Sequence, residues 1–101
     1  MKLIYVTAKD EKEAKGIAKR LVEEKLIACA NIYNINSVYP WKGKIDEWPE
    51  SVMILKTKDN LVDKVMKRVK ELHSYTIPCM LVIPVEKVNK EYLDWMDSVT
   101  K

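Results

Sequence analysis

Three segments of the chain are apolar at four successive positions each, and this pattern constrains the fold more than any other feature. The segments are residues 3–6, 52–55 and 80–83. Successive side chains of a β-strand point to opposite faces of the sheet, so a strand with water on one face alternates apolar and polar residues. The unbroken runs therefore predict a sheet that is covered on both faces, which the helices of one small chain are too few to achieve.

Periodic apolar residues between these strands predict helices. Asp10 and Glu13 have the spacing of a capping box, and apolar residues then recur at helical spacing. The predicted elements are strands at 2–7, 27–41, 45–57 and 79–85 and helices at 10–25, 59–72 and from residue 89 onward. This order predicts one domain over residues 1–101, an α+β ferredoxin-like βαββαβ sandwich with an extra C-terminal helix.

The second and third strands are predicted to form a long hairpin. It turns at Lys42-Gly43-Lys44, the one glycine-bearing turn in the middle of the chain. Pro49 cannot donate a ladder hydrogen bond, so it predicts a bulge or an edge strand. Within the first strand of this hairpin, four apolar residues share one parity and so point to the same face: Tyr33, Ile35, Tyr39 and Trp41. Because exposed apolar patches mark interfaces, we interpret the hairpin as an oligomerisation arm; the alternative is a hairpin that curls over its own domain.

Composition excludes several classes of protein. The chain has 101 residues, of which 48% are hydrophobic, and this excludes a disordered chain. Its longest unbroken apolar stretch, residues 79–85, is far shorter than the ~20 residues that span a bilayer. We therefore expect no membrane partner and a cytoplasmic location. Sixteen of the 18 basic residues are lysines, whereas nucleic-acid and phosphate sites favour arginine forks, so no nucleic-acid partner is expected.

Few residues of the chain can carry chemistry. His73 is the only histidine and follows the second helix. It is either a cation favoured by the helix dipole, or a metal ligand or hydrogen-bonding group in a cleft. Cys29 lies among small residues and is either a small buried side chain or a soft metal ligand. Cys79 begins an apolar strand, which predicts a core position, and Lys56 either extends to solvent or lines a cleft. No CxxC, HxxxH or HExxH motif and no glycine-rich phosphate loop is present. The residues alone therefore predict neither a preformed metal site nor a phosphate-binding enzyme.

Five short motifs, in this order along the chain, resemble those of the CutA divalent-cation tolerance family. They are LIACAN at 26–31, YPWKGKI at 39–45, ILKT at 54–57, LHSYTIP at 72–78 and YLDW at 92–95. The resemblance covers essentially the whole chain. It implies a non-catalytic ferredoxin-like protein that assembles as a homotrimer through its long hairpins, with an architecture related to the PII signalling proteins. It also implies a role in tolerance of copper and other divalent cations.

The same resemblance implies roles for individual residues. Cys29 and His73 match the family's cysteine and its histidine after the second helix; they are the implied ligands of copper or another divalent cation, which folding is not expected to require. The implied intersubunit cleft contains Trp41, Lys56, Tyr75 and Trp95, and the implied trimer interface contains Tyr33, Ile35, Tyr39 and Trp41. The alternative function is a PII-like sensor that holds a small anionic ligand near Lys56 in this cleft. The chain departs from the family pattern at Pro40, Pro49 and Ser74, which we expect to alter the hairpin's bulge and to leave the site residues in place.

Overall fold

Four strands and three helices follow one another in the predicted order. A computed structural model describes residues 1–101. The elements are β1 (Lys2–Ala8), α1 (Glu11–Glu23), β2 (Cys29–Trp41), β3 (Lys44–Thr57), α2 (Val62–Leu72), β4 (Met80–Pro84) and α3 (Lys90–Val99), with a 3-10 turn at Asp59–Leu61 before α2. The strands form one antiparallel sheet in the order β2-β3-β1-β4. The α+β ferredoxin-like architecture with an extra C-terminal helix is therefore confirmed.

Local hydrogen bonds set the two ends of α1. Asp10 is its N-cap, and the Asp10 carboxylate accepts a hydrogen bond from the backbone N–H of Glu13 at 2.8 Å, as the capping box predicts. At the other end Lys25 adopts a left-handed conformation with a φ of 58°. The N–H groups of Lys25 and Leu26 bond back to carbonyls in the last turn of the helix, each at 3.0 Å. This pair of bonds is a Schellman motif that lacks the glycine usually found at its left-handed position.

Two local predictions are wrong in part. Asn89 occupies the N-cap position of α3, but its side chain makes no capping hydrogen bond. Cys79 is exposed rather than buried in the core. It precedes β4, an edge strand of the sheet, so one side of this segment has no neighbouring strand to cover it.

The two long helices cover one face of the sheet, which we call the front face. Alternate residues of β1 and β3 point to it, with Ile4 opposite Leu55 and Val6 opposite Met53. These side chains and apolar residues of α1 and α2 belong to a core cluster of 14 buried residues. Full burial of one such side chain stabilises the fold by about 1.5–3 kcal/mol. The front face is therefore the chain's own hydrophobic core.

The opposite face of the sheet, which we call the rear face, is only partly covered. α3 lies against it near the start of β2, where Met96 is fully buried outside the front core and the Lys56 Nζ atom lies 5.4 Å from the centre of the Tyr92 ring. Away from α3 the rear face is open, and 47% of Tyr33 and 53% of Leu81 are exposed. One chain therefore leaves an apolar surface that its short last helix does not cover.

The hairpin of β2 and β3 extends beyond the rest of the sheet. Pairing between β1 and β3 ends at Ala8 opposite Ser51. Pairing between β2 and β3 continues without interruption to Trp41 opposite Lys44. We call residues 35–50, which pair only with each other, the arm.

The turn and the proline of the arm follow from strand geometry. Lys42 and Gly43 have positive φ angles of 49° and 77°, as a two-residue type I′ turn requires. Pro49 pairs opposite Asn36, in a part of β3 that has a neighbouring strand on one side only. The edge-strand interpretation of Pro49 is confirmed, and the bulge alternative is wrong, because the register is continuous through this position.

Candidate functional site

His73 follows the last residue of α2 and is held through both ring nitrogens. Its side chain is 0% exposed. Nε2 lies 2.7 Å from the carbonyl oxygen of Thr7, and Nδ1 accepts a hydrogen bond from the backbone N–H of Tyr75 at 3.0 Å. Because a carbonyl oxygen can only accept, Nε2 carries the proton and the ring is neutral. Coordination of a metal ion by His73 therefore requires the loss of one of these two bonds.

Glu13 connects the first turn of α1 to the segment that follows α2. Its Oε1 atom accepts a hydrogen bond from the Lys9 N–H at 3.1 Å, and its Oε2 atom accepts one from the Ser74 N–H at 2.9 Å. Nδ1 of His73 lies 4.0 Å from Oε1. Burial opposes ionisation of Glu13, but the hydrogen bonds from Ser74 and Lys9 outweigh it, so the pKa of this carboxyl lies below its ordinary value of 4.5. The sequence predicts Glu13 only as part of a helix cap and misses this second contact.

Tyr75 joins the same segment to the arm. Its hydroxyl donates a hydrogen bond to Oε2 of Glu50 at 2.7 Å. Burial, and then this bond and the charge of Glu50, raise the pKa of Tyr75 above its ordinary value. An open groove of about 770 Å³ lies between the arm and residues 75–77, and its aromatic walls include Tyr39, Trp41 and Trp48. Two of the predicted cleft residues, Trp41 and Tyr75, therefore line one groove.

Cys29 begins β2, at the opposite end of that strand from the arm's turn. It pairs with Lys56 of β3, and the Ala28 N–H donates to the Lys56 carbonyl at 2.9 Å. Cys29 is half-buried. The Tyr92 ring, which lies 5.4 Å from Lys56 Nζ, is 5.5 Å from the Trp95 ring. The structure therefore brings the other two predicted cleft residues, Lys56 and Trp95, together near Cys29.

The two groups of predicted site residues lie far apart on one chain. β2 has 13 residues, so Cys29 and Trp41 are about 40 Å apart at about 3.3 Å per residue. His73 bonds to Thr7 of β1. Cys29 is level with Leu3 of β1, two strands away, and Thr7 is four residues further along β1, so Thr7 and Cys29 are about 16 Å apart. The chain contains no group of three or more His, Cys, Asp or Glu side chains that could hold a metal ion. Thiolate and imidazole suit copper chemically, but Cys29 and His73 do not form a metal site within one chain.

The predicted interface residues share one parity of β2, which places them on the rear face of the sheet and of the arm. They are Tyr33, Ile35, Tyr39 and Trp41. Of Trp41, 58% is exposed. Three further apolar residues of the arm are exposed and are not among the predicted interface residues: Val38 at 64%, Ile45 at 82% and Trp48 at 56%. The register of the hairpin could have identified Trp48, because it pairs with Ser37 and so shares the rear face.

Residues 2–99 match the family model of the CutA1 divalent ion tolerance protein. The chain belongs to the CutA1 family. The resemblance that the five motifs indicate is thereby confirmed.

Individual CutA relatives match this chain over nearly its whole length. The divalent-cation tolerance protein CutA of Archaeoglobus fulgidus is 48% identical over 98 residues, which are 97% of this chain and 96% of the relative. The crystal structure of a CutA1 variant from Pyrococcus horikoshii OT3 has a TM-score of 0.97 at 42% identity and covers 100% of this chain and 99% of its own. The apo structure of a PII-like protein CutA from Nostoc sp. PCC 7120 has a TM-score of 0.92 at 31% identity, with coverage of 100% and 98%. The fold of this chain is therefore the fold of CutA1 and PII-like proteins.

The names of the CutA relatives concern tolerance of divalent cations and assign no reaction. No helix of this chain has the length and the apolar composition that crossing a membrane requires. The cytoplasmic location stays a prediction, since the Archaeoglobus fulgidus structure is described as that of a periplasmic protein.

Proposed function

We propose that the chain is a subunit of a non-catalytic homotrimer, which binds a divalent cation at the boundary between subunits and so contributes to divalent-cation tolerance. One observation carries this proposal: the residues of the implied cleft fall into two separate groups on a single chain. Trp41 belongs to the arm and Tyr75 lies beside it, whereas Lys56 and Trp95 lie beside Cys29. A cleft that contains all four therefore requires the arm of one subunit to reach the Cys29 end of the next.

Head-to-tail contact of this kind gives a closed ring when the rotation between neighbours closes. The chain measures 47 × 25 × 21 Å, and the long dimension gives the arm its reach. The uncovered rear face supplies the apolar surface, with Tyr33 and Leu81 about half exposed. A stable interface buries about 1,200–2,000 Å² in total, and the arm and the rear face are the surfaces we propose for it.

The donor chemistry at the Cys29 end favours copper or zinc over a hard cation, because a thiolate is a soft ligand. One thiolate is too few for a closed metal site. In our proposal the neighbouring subunit and water supply the remaining donors. His73, the second ligand that the resemblance implies, joins such a site only if it loses the bond to Thr7 or to Tyr75, so its contribution needs a separate test.

Solution mass tests the assembly. Sedimentation equilibrium of the intact protein is expected to give three times the chain mass of 11.8 kDa. Trp41→Ala removes an exposed ring from the arm and is expected to lower the trimer fraction at low protein concentration. Val22→Ala, which shortens an exposed apolar side chain on α1, is the matched control and is expected to assemble normally. A monomer at every concentration, or normal assembly of Trp41→Ala, contradicts the proposal.

Titration calorimetry with copper(II) chloride and zinc chloride tests the metal site. The wild-type protein is expected to bind, and Cys29→Ser is expected to bind at least about tenfold more weakly, a loss of about 1.4 kcal/mol. Cys79→Ser removes the other thiol, which is exposed, and is expected to bind like the wild type. Absence of binding by the wild type, or unchanged binding by Cys29→Ser, refutes the proposed site.

A second candidate function, a PII-like sensor of a small anion, is favoured by the surroundings of Lys56. This lysine is half-buried, lies over the Tyr92 ring and forms no ion pair within its chain. A specific ligand raises the melting temperature by mass action, so a thermal-shift screen of nucleotides and organic acids tests this function. A shift that disappears in Lys56→Met and persists in Lys64→Met, a change of an exposed lysine on α2, supports it. No shift with any compound rejects it.

A further inference from the structure

The arm leaves the sheet at Glu50, and this residue has a side-chain contact with the body of the chain. β1 pairs with β3 only as far as Ser51, so Glu50 has a neighbouring strand on one side only. Its carboxylate accepts the hydrogen bond from the Tyr75 hydroxyl at 2.7 Å. The Ser51 hydroxyl donates to the Asn34 side chain at 2.8 Å. We call residues 34–36 and 49–51 the root of the arm. One hydrogen bond therefore joins its two strands to each other, and another joins it to the segment after α2.

Tyr75 can hold Glu50 because Tyr75 is itself held. Its backbone N–H bonds to Nδ1 of His73, and the two rings lie 4.8 Å apart. His73 in turn bonds through Nε2 to Thr7 of β1, and Glu13 of α1 bonds to the intervening Ser74 N–H. Residues 73–75 are thus attached to β1, α1 and the arm at once, and the hydrogen bonds of His73 and Tyr75 are partly buried.

We infer that His73 and Tyr75 are positioning residues that lock the arm at its root, and that His73 serves this lock rather than a metal ion. Both nitrogens of the neutral His73 ring are engaged, so a metal ion on either nitrogen detaches Thr7 or Tyr75. The chain also brings no group of metal-ligating side chains to the ring. The effect of the lock on assembly rests on the proposed trimer, whereas its effect on the arm does not.

Hydrogen exchange of the intact protein, measured by mass spectrometry, tests the lock. Tyr75→Phe removes one hydroxyl and keeps the ring. A hydrogen bond to a charged acceptor is strong enough that its loss is expected to speed amide exchange in residues 45–50 about tenfold, while exchange in residues 51–57 stays unchanged. Ser98→Ala is the control: it also removes one hydroxyl and one hydrogen bond, but that bond lies within α3, and it is expected to leave the arm unchanged.

A double-mutant cycle separates the lock from general loosening of the fold. Glu50→Ala is expected to reproduce the effect of Tyr75→Phe, and the double variant is expected to exchange no faster than either single variant, because one bond is lost only once. Glu50→Gln retains an acceptor oxygen and is expected to restore most of the protection. Unchanged arm exchange in both Tyr75→Phe and Glu50→Ala overturns the inference.

The role of His73 has its own measurement. His73→Asn retains an acceptor for the Tyr75 N–H but lacks an imidazole. Because it also lacks the Nε2 bond to Thr7, we expect it to bind copper within about twofold of the wild type but to show faster exchange in the arm, whereas Cys29→Ser binds copper at least about tenfold more weakly and keeps a protected arm. Loss of copper binding in His73→Asn with a protected arm overturns the inference and makes His73 a ligand. If the wild type binds no copper, the proposed metal function fails, and exchange in the arm alone decides whether the lock exists.

Discussion

Replacing Thr57 by Val tests how the Cys29 end of the chain is held together. Thr57 is 0% exposed, and its hydroxyl donates a hydrogen bond to the Leu26 carbonyl oxygen at 2.6 Å. Leu26 lies in the loop between α1 and β2, so this bond holds the approach to Cys29 against the end of β3. Val has nearly the shape of Thr but lacks a donor, and the substitution leaves the buried carbonyl oxygen without its partner.

The magnitude follows from the partners. A hydrogen bond contributes about 1 kcal/mol net, and an acceptor left unpaired in a buried place costs about 1–3 kcal/mol. We therefore expect Thr57→Val to lower the free energy of unfolding by about 2 kcal/mol. Thr57→Ser keeps the hydroxyl and removes one methyl group, which costs about 0.8 kcal/mol. The predicted order of stability is wild type, then the Ser variant, then the Val variant.

Guanidinium unfolding at one fixed protein concentration measures this order, because self-association makes apparent stability depend on concentration. Equal denaturant slopes for the three proteins are the control that the same transition is compared. If the Val variant is as stable as the wild type, or the Ser variant is the least stable of the three, the Thr57 bond does not hold this loop.

Three further predictions concern single residues. Lys25→Gly should raise the free energy of unfolding by about 0.5–1 kcal/mol in the same assay. The left-handed conformation of Lys25 costs about 1–2 kcal/mol, which glycine avoids, but glycine loses more conformational entropy on folding, and this offsets part of the gain. A destabilised variant contradicts the Schellman assignment. Gly43→Ala should lower the melting temperature, because φ at Gly43 is 77° and an L side chain there costs about 1 kcal/mol; an unchanged melting temperature speaks against a type I′ turn. The folded-state pKa of Glu13 lies below 4.5, so the ionised carboxylate adds stability above about pH 4.5 that is lost as the pH falls through the lower, folded-state pKa. The free energy of unfolding of Glu13→Gln should therefore fall less than that of the wild type between about pH 6 and pH 3. Equal falls in the two proteins, measured by unfolding at each pH, refute this.

The pairing around Cys29 could be predicted from the sequence with simple geometry. A two-residue turn at Lys42 and Gly43 sets the register of both flanking strands, and without a bulge that register places Cys29 opposite Lys56, as observed. The apolar runs of the strands likewise predict the uncovered rear face. These features depend on local turn chemistry and on strand periodicity, both of which are written in consecutive residues.

The contacts of His73 and Tyr75 could not be predicted in the same way. Spacing places His73 at the end of α2, but nothing in the sequence shows that the Tyr75 N–H occupies its Nδ1 atom. The Tyr75 partner, Glu50, is 25 residues away in sequence, and the pairing depends on how the segment after α2 passes the root of the arm. Cys79 is misjudged for a related reason: an apolar run does not reveal that its strand lies at the edge of the sheet.

The distance of about 40 Å between the arm's turn and the Cys29 end has a genetic consequence for the proposed ring, in which each cleft uses two neighbours. A chain damaged at Cys29 still offers an intact arm, and a chain damaged at Trp41 still offers an intact thiol. Co-expression of the two defective alleles then gives mixed rings in which some clefts are intact. We therefore expect the two alleles to complement each other.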